Sequence, residues 1–145
     1  MKKNIFLYSS QSDDEIKIKI RDFFNSLLMD DEKIFFDDME ITTSAPELLE
    51  GKRDIDEKVD VWSVGAIAFI LTNFDYPYNM AGNLSEEVTK TEVAEFIKGQ
   101  NLVIENGSDE ARDFIKKCLA KNAKDRPTVE QLLKHQWIED WVKDP

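Results

Sequence analysis

Residues Asp60 to Leu71 read DVWSVGAIAFIL. Val61, Trp62, Val64, Ala66, Ile67, Ala68, Phe69, Ile70 and Leu71 are apolar, and Ser63 and Gly65 are small. A surface helix carries a polar stripe every three or four residues. This run has none, which predicts a helix buried on every side. A membrane span needs about 20 apolar residues, more than the run holds. Its length and its Ala and Leu content favour helix over a buried strand. Asp60 at its start suits the positive end of a helix dipole. The fold is therefore expected to be built around one central helix with other elements packed about it.

Composition sets the outer bounds. A chain of 145 residues fits one domain and can bury about 68–70% of its unfolded surface. A hydrophobic content of 41%, with three Trp and nine Phe, argues against a disordered chain. The net charge of −11 and the pI of about 4.6 disfavour nucleic acid and anionic membrane as partners. They leave a basic peptide or protein as the compatible partner, with solubility as the other reason for the acidity. Cys118 is the single cysteine, so no internal disulfide forms, which fits a reducing, cytoplasmic setting. The start, MKKNIFLYSS, has an apolar stretch too short for a signal peptide.

Outward from the central run, the first stretch of chain predicts a β-hairpin. Asn4 to Tyr8 is apolar, Ser9 to Asp14 is turn-like, and Ile16, Ile18 and Ile20 alternate with Lys17, Lys19 and Arg21 as in a half-buried strand. Asp22 to Thr43 has no period, is crowded with acids, and reads as a long, partly mobile loop. Ser44-Ala45-Pro46-Glu47 has the capping-box pattern, followed by a turn or two of helix that stops at Gly51. After the central run, Thr72 to Gly82 reads as loop. Ser85 is the expected cap of a helix that faces Val88, Val93, Phe96 and Ile97 inward and ends at Gly99. Ser108 caps the most periodic helix, with Ala111, Phe114, Ile115, Cys118 and Leu119 on one face. Thr128 to Gln131 is a further capping box, opening a helix with Val129, Leu132 and Leu133 on one side, and Trp137, Ile138, Trp141 and Val142 close the chain.

Three separated stretches carry a family resemblance. Ala45-Pro46-Glu47 precedes Asp60-Val61-Trp62-Ser63-Val64-Gly65, and much later come Asp125-Arg126-Pro127-Thr128 and His135-Gln136-Trp137-Ile138. In this order they resemble the C-terminal lobe of a eukaryotic serine/threonine protein kinase, whose signature set includes A-P-E. The closing KHQWI resembles the calcium- and calmodulin-dependent branch. The resemblance implies a mainly α fold, a kinase-like C-lobe with a short N-terminal β-hairpin and a helical subdomain around a buried central helix. It divides residues 1–145 into the end of a catalytic loop, an activation segment at 22–47 and a helical subdomain at 48–142, with the N-lobe absent.

The resemblance also assigns roles. Glu47 would pair with Arg126 and pin the end of the activation segment to the helical subdomain. Asp60 would bond the backbone of the catalytic loop. All three are structural roles. Asn4 and Asp22 match the family's Mg²⁺-holding Asn and Asp, and are the metal candidates, read here as vestigial. No catalytic or nucleotide-contacting residue is assigned. The Gly-rich loop, the ATP-contacting Lys and the H-R-D Asp are not among these residues. Asp22-Phe23-Phe24 replaces D-F-G, Glu40 stands where the family has Thr, and Thr43 where it has Tyr. The family uses Mg²⁺ and ATP, while this chain is expected to bind neither well and to be inactive as it stands. The alternative is a pseudokinase-type module that binds a basic partner. Thr42, Thr43 and Ser44 are candidate phosphorylation positions. His135 is expected to pack or cap, Cys118 to be an inert buried thiol, and Ile5, Phe6, Leu7 and Phe23 to be partly uncovered and to promote self-association. No D-x-[DN]-x-[DN]-G loop is present, so calcium sensing is not encoded in these residues.

Overall fold

The computed structural model describes residues 5–9, 16–21, 23, 26, 40–78 and 88–143. They fall into two compact units, residues 1–38 and 39–145.

In the first unit, strands β1 (Ile5–Ser9) and β2 (Ile16–Ile20) pair antiparallel, with Ile5 opposite Ile20 and Leu7 opposite Ile18. The period of two therefore does mark a strand. The expected half-burial does not hold, because Ile18 is 66% and Ile20 64% exposed, alongside exposed Lys17 and Lys19. Alternation sorts the side chains onto two faces, but two strands alone supply no layer to cover either one. Asp22 and most of the stretch read as a long loop lie outside the described residues. Its last part, Ile41–Thr43, is a short 3-10 turn.

The second unit is helical. In order it holds α1 (Pro46–Leu49), α2 (Lys58–Asn73), α3 (Lys90–Gly99), α4 (Asp109–Cys118), α5 (Val129–Leu133) and α6 (Gln136–Lys143), with a 3-10 turn at Ala123–Asp125. With the hairpin ahead of it, this is the mainly α, kinase C-lobe-like architecture that the sequence implies. Val61, Trp62, Ala66 and Phe69 of α2 are buried together with Val93 and Ile97 of α3 and with Phe114, Ile115 and Cys118 of α4. All five residues of the α4 stripe, Ala111 to Leu119, are buried.

Gly65 decides how closely α2 and α4 approach. A Cβ at that position would lie 2.5 Å from Cys118 Cβ and 3.1 Å from Leu119 Cγ. A glycine inside a helix ordinarily costs about 1 kcal/mol relative to alanine, and here it admits the neighbouring helix.

Four readings are corrected. First, α2 is not buried on every side. Val64, Ile67, Leu71 and Phe74 form an exposed stripe, spaced as one face of a helix. Among the described residues α2 packs chiefly on α4 and on the turns at 41–43 and 123–125, which cover the opposite side. An apolar run states what a helix is able to bury and not what the chain supplies to cover it. Second, Ser44 is not an N-cap, because Ala45 holds that position and Ser44 Oγ donates to Glu40 O at 2.7 Å. Third, α3 begins at Lys90, where Thr89 and Glu92 form a reciprocal capping box; Ser85 lies outside the described residues. Fourth, of the proposed α5 face only Leu132 is buried, while Val129 and Leu133 are exposed. A helix of five residues turns one side chain fully inward.

Two caps match their readings. Ser108 accepts from Ala111 N, and Thr128 forms a capping box with Gln131.

Helix α2 ends on Phe74 at φ 58, the left-handed region, with its N–H bonded to Ile70 O. Glycine is the usual residue there, since a side chain in that region costs about 1–2 kcal/mol. Phe74 is 90% exposed and gains little burial in return. Phe74→Gly is expected to stabilise the fold by about 1 kcal/mol, read as a higher urea midpoint at unchanged slope. An unchanged or lower midpoint would contradict this account of the helix end.

Candidate functional site

The second unit meets at Arg126, which is 2% exposed. A guanidinium has five N–H donors, and all five are used. Nη1 and Nη2 hold Glu47 Oε1 and Oε2 at 2.5 and 2.9 Å. Nη1 also donates to Lys58 O at 2.9 Å, Nε to Ala120 O at 2.8 Å and Nη2 to Lys121 O at 3.4 Å. Lys58 Nζ returns a bond to Arg126 O at 2.9 Å. The guanidinium lies 4.9 Å from the Trp62 ring centroid, a cation–π contact. Trp62 in turn stacks on Tyr78 with centroids 5.9 Å apart, and Tyr78 Oη donates to Leu119 O at 3.3 Å. Burial pushes the Tyr78 hydroxyl up to about 12, with Arg126 pulling the other way.

Local sequence explains each arm. Pro46 opens α1 with a fixed φ and no N–H to lose, which places Glu47 in the first turn. Asn122 caps the turn at Ala123–Asp125 by accepting from Lys124 N, and Arg126 follows directly. Lys58 and Trp62 begin α2. The parts played by Lys58, Trp62 and Tyr78 were not read from sequence. The Thr89-x-x-Glu92 capping box is carried by the local sequence as a T-x-x-E pattern.

The other assigned residues sit as follows. Asp60 is in the first turn of α2 and exposed; its N–H donates to Glu57 O at 3.1 Å, and its carboxylate has no hydrogen-bond partner among the described residues. Asn4 and Asp22 lie outside the described residues. Thr42 Oγ1 donates to Glu40 Oε1 at 2.9 Å. Thr43 O accepts from Ser63 Oγ at 3.3 Å, tying this turn to α2. Ser44 is buried. His135 packs edge-on against Phe114, contacts Asp113 Oδ2 through Nε2 at 2.9 Å and accepts from Trp137 N through Nδ1 at 3.3 Å. That pattern makes it a packing and capping residue. Lys117 first, then His135, hold the Asp113 carboxyl below the usual range. Cys118 is buried, and burial pushes its thiol up to about 12, so it is neither thiolate nor nucleophile.

A cavity of about 690 Å³ beside the pair is lined by Glu47, Glu50, Lys52, Lys98, Lys121 and Lys124, among others. Glu50 is held by Lys52 at 2.8 Å and by Lys98, which together lower its carboxyl. Lys121 donates to the backbone carbonyls of Lys98 and Gln100. Among the described residues no three His, Cys, Asp or Glu side chains come together as a metal ion requires, and no helix is long and apolar enough to cross a membrane. The arrangement fastens segments of the second unit together.

Comparison with known proteins agrees with the motifs. The protein kinase domain profile matches residues 1–138. The chain is 43% identical over 94 residues to calcium-dependent protein kinase 5 of Plasmodium falciparum, covering 65% of this chain and 16% of that protein. It is 35% identical over 133 residues to the calcium/calmodulin-dependent protein kinase cmkB of Emericella nidulans, covering 87% and 31%. With calcium-dependent protein kinase 21 of Arabidopsis thaliana the identity is 33% over 145 residues, covering 95% and 25%. The chain thus spans under a third of the length of each of these relatives.

Removing one partner of a satisfied buried ion pair leaves the other charge stranded, at about 3–5 kcal/mol. Arg126→Ala is expected to cost that much in urea denaturation. Arg126→Lys recovers little of it, since an ammonium has three donors where five acceptors wait. The double change Glu47→Gln/Arg126→Met costs less than the two single changes summed. Strict additivity would show that the pair carries no coupling.

Proposed function

The chain belongs to the protein kinase family, in its calcium- and calmodulin-dependent branch, and we propose that its 145 residues act as a C-terminal-lobe scaffold that does not transfer phosphate by itself. The observation that carries this reading is the contrast between a fully satisfied Glu47–Arg126 anchor and Asp22-Phe23-Phe24 in place of D-F-G, with Glu40 where the family has Thr. Phosphoryl transfer depends almost wholly on positioned phosphates, metal and base. In the family the bound Mg²⁺ and ATP supply charge neutralisation and the phosphoryl group. On this chain the matching metal positions are Asn4 and Asp22. Phe24 removes the backbone freedom that Gly has after the metal-binding Asp. A single buried thiol suits a reducing, intracellular setting.

A second reading, a module that binds a basic protein or peptide, is favoured by the net charge of −11. In either reading Thr42 and Thr43 are the candidate phosphorylation positions. A phosphate on Thr42 meets the Glu40 carboxylate it now bonds and so loosens that turn.

Two measurements test these statements. A thermal-shift titration with Mg²⁺ and ATP is expected to leave Tm unchanged, and a rise of several degrees at millimolar ATP would overturn the scaffold reading. Ile5, Ile18, Ile20 and Phe23 are exposed apolar side chains, and analytical ultracentrifugation is expected to show concentration-dependent self-association. A single monomeric species at high concentration contradicts it.

A further inference from the structure

We propose that the cavity at the C-terminal end of α2 is a binding site for an arginine side chain of a basic peptide. This rests on the second reading above and names the place where it acts.

The cavity, about 450 Å³, lies between the end of α2, the turn through Asp75–Tyr78, the end of α3 and the connector that follows it. Its volume is within the usual range for a built ligand site. Four rings, Phe69, Tyr76, Tyr78 and Phe96, form its apolar part, and two carboxylates, Asp75 and Glu105, sit in its lining. The side-chain amides of Asn73, Gln100 and Asn101 add further polar groups, and among the described residues no Lys, Arg or His lines it.

Asn73 builds the mouth. Its Oδ1 accepts from both Glu105 N and Asn106 N at 3.0 Å, drawing the connector onto the helix end, and its Nδ2 bonds Thr72 Oγ1 at 2.8 Å. Glu105 is thereby brought beside the turn that carries Asp75. Asp75 Oδ1 accepts from Tyr76 N at 2.7 Å. The Glu105 carboxylate has no bond among the described residues.

The nearby cations bond groups other than the Asp75 and Glu105 carboxylates. Arg112 spends Nη1 on Asp109 at 3.1 Å and Nη2 on the Glu105 carbonyl at 3.4 Å. Lys121 neutralises the carbonyls at the end of α3. The last turn of α2 holds no basic residue, and its outward carbonyls add negative potential.

Aromatic faces, two carboxylates and a helix C-terminus all favour a cation. A guanidinium fits better than an ammonium, because its flat fork stacks on rings while bonding carboxylates and amide oxygens in its plane. The chain's net charge of −11 favours approach of a basic segment.

The test is an ¹⁵N–¹H titration of the full chain with a short, otherwise uncharged peptide carrying one arginine. A matched peptide carrying citrulline, the neutral isostere, serves as the comparison. Shifts are expected at the amides of residues 73–78 and 100–105, with affinity falling about tenfold or more on citrulline. The exposed-site variant Asp75→Asn/Glu105→Gln is expected to lose the same factor at unchanged Tm. Equal affinity for the two peptides overturns the proposal. So does undiminished binding by that variant. If binding is instead lost in Asp37→Asn/Asp38→Asn, the pocket falls while the basic-partner reading stands. If neither peptide binds at any site, both fall.

Discussion

One buried guanidinium holds the helical unit together. Arg126 is the point where α1, the start of α2 and the segment after α4 meet, and each contributes an acceptor: Glu47, the Lys58 carbonyl, and the Ala120 and Lys121 carbonyls. Taking that charge out of water is costly, and the cost is offset only when every donor is used. Here every donor is. The same charge rests on Trp62, Trp62 stacks on Tyr78, and Tyr78 reaches Leu119. The polar anchor and the apolar core are thus one construction. Perturbing the pair disturbs α2 and α4 together.

The apolar side of that construction depends on closeness. Gly65 and the small side chains near it let α2 lie against Cys118 and Leu119 without an intervening Cβ. Burial of Ile115, Phe114 and Trp62 between the helices contributes about 1.5–3 kcal/mol per side chain. Asymmetry is the consequence. With α4 seated on one side of α2, the stripe through Val64, Ile67 and Leu71 is left uncovered. The end of α2, released from packing at Phe74, turns into the acidic aromatic cavity beside α3.

Much of this was legible in advance, for a physical reason in each case. The α4 stripe repeats at helical spacing, and all its members are buried. Capping at Ser108 and at Thr128–Gln131 is local chemistry, so it could be read without knowing the neighbours. The A-P-E, DVW and D-R-P motifs carried the family resemblance that the domain match bears out. The departures from expectation have two causes. Ser44 fits the capping-box spacing, but Ala45 holds the N-cap of α1 and the Ser44 hydroxyl donates to the Glu40 carbonyl. Burial of α2, β2, Val129 and Leu133 was inferred from apolarity alone. Burial needs a second surface, and a pattern of residues does not contain one.

By itself, then, the sequence determined the element types, the helix that anchors the fold and the family, because periodicity, caps and motif spacing are properties of neighbouring residues. Tertiary structure alone decided which face of that helix is covered, that Lys58, Trp62 and Tyr78 complete the Arg126 site, and that Asp75 and Glu105 come to share one cavity. Those facts join residues far apart in the chain, through hydrogen bonds and packing that exist only once the helices have met.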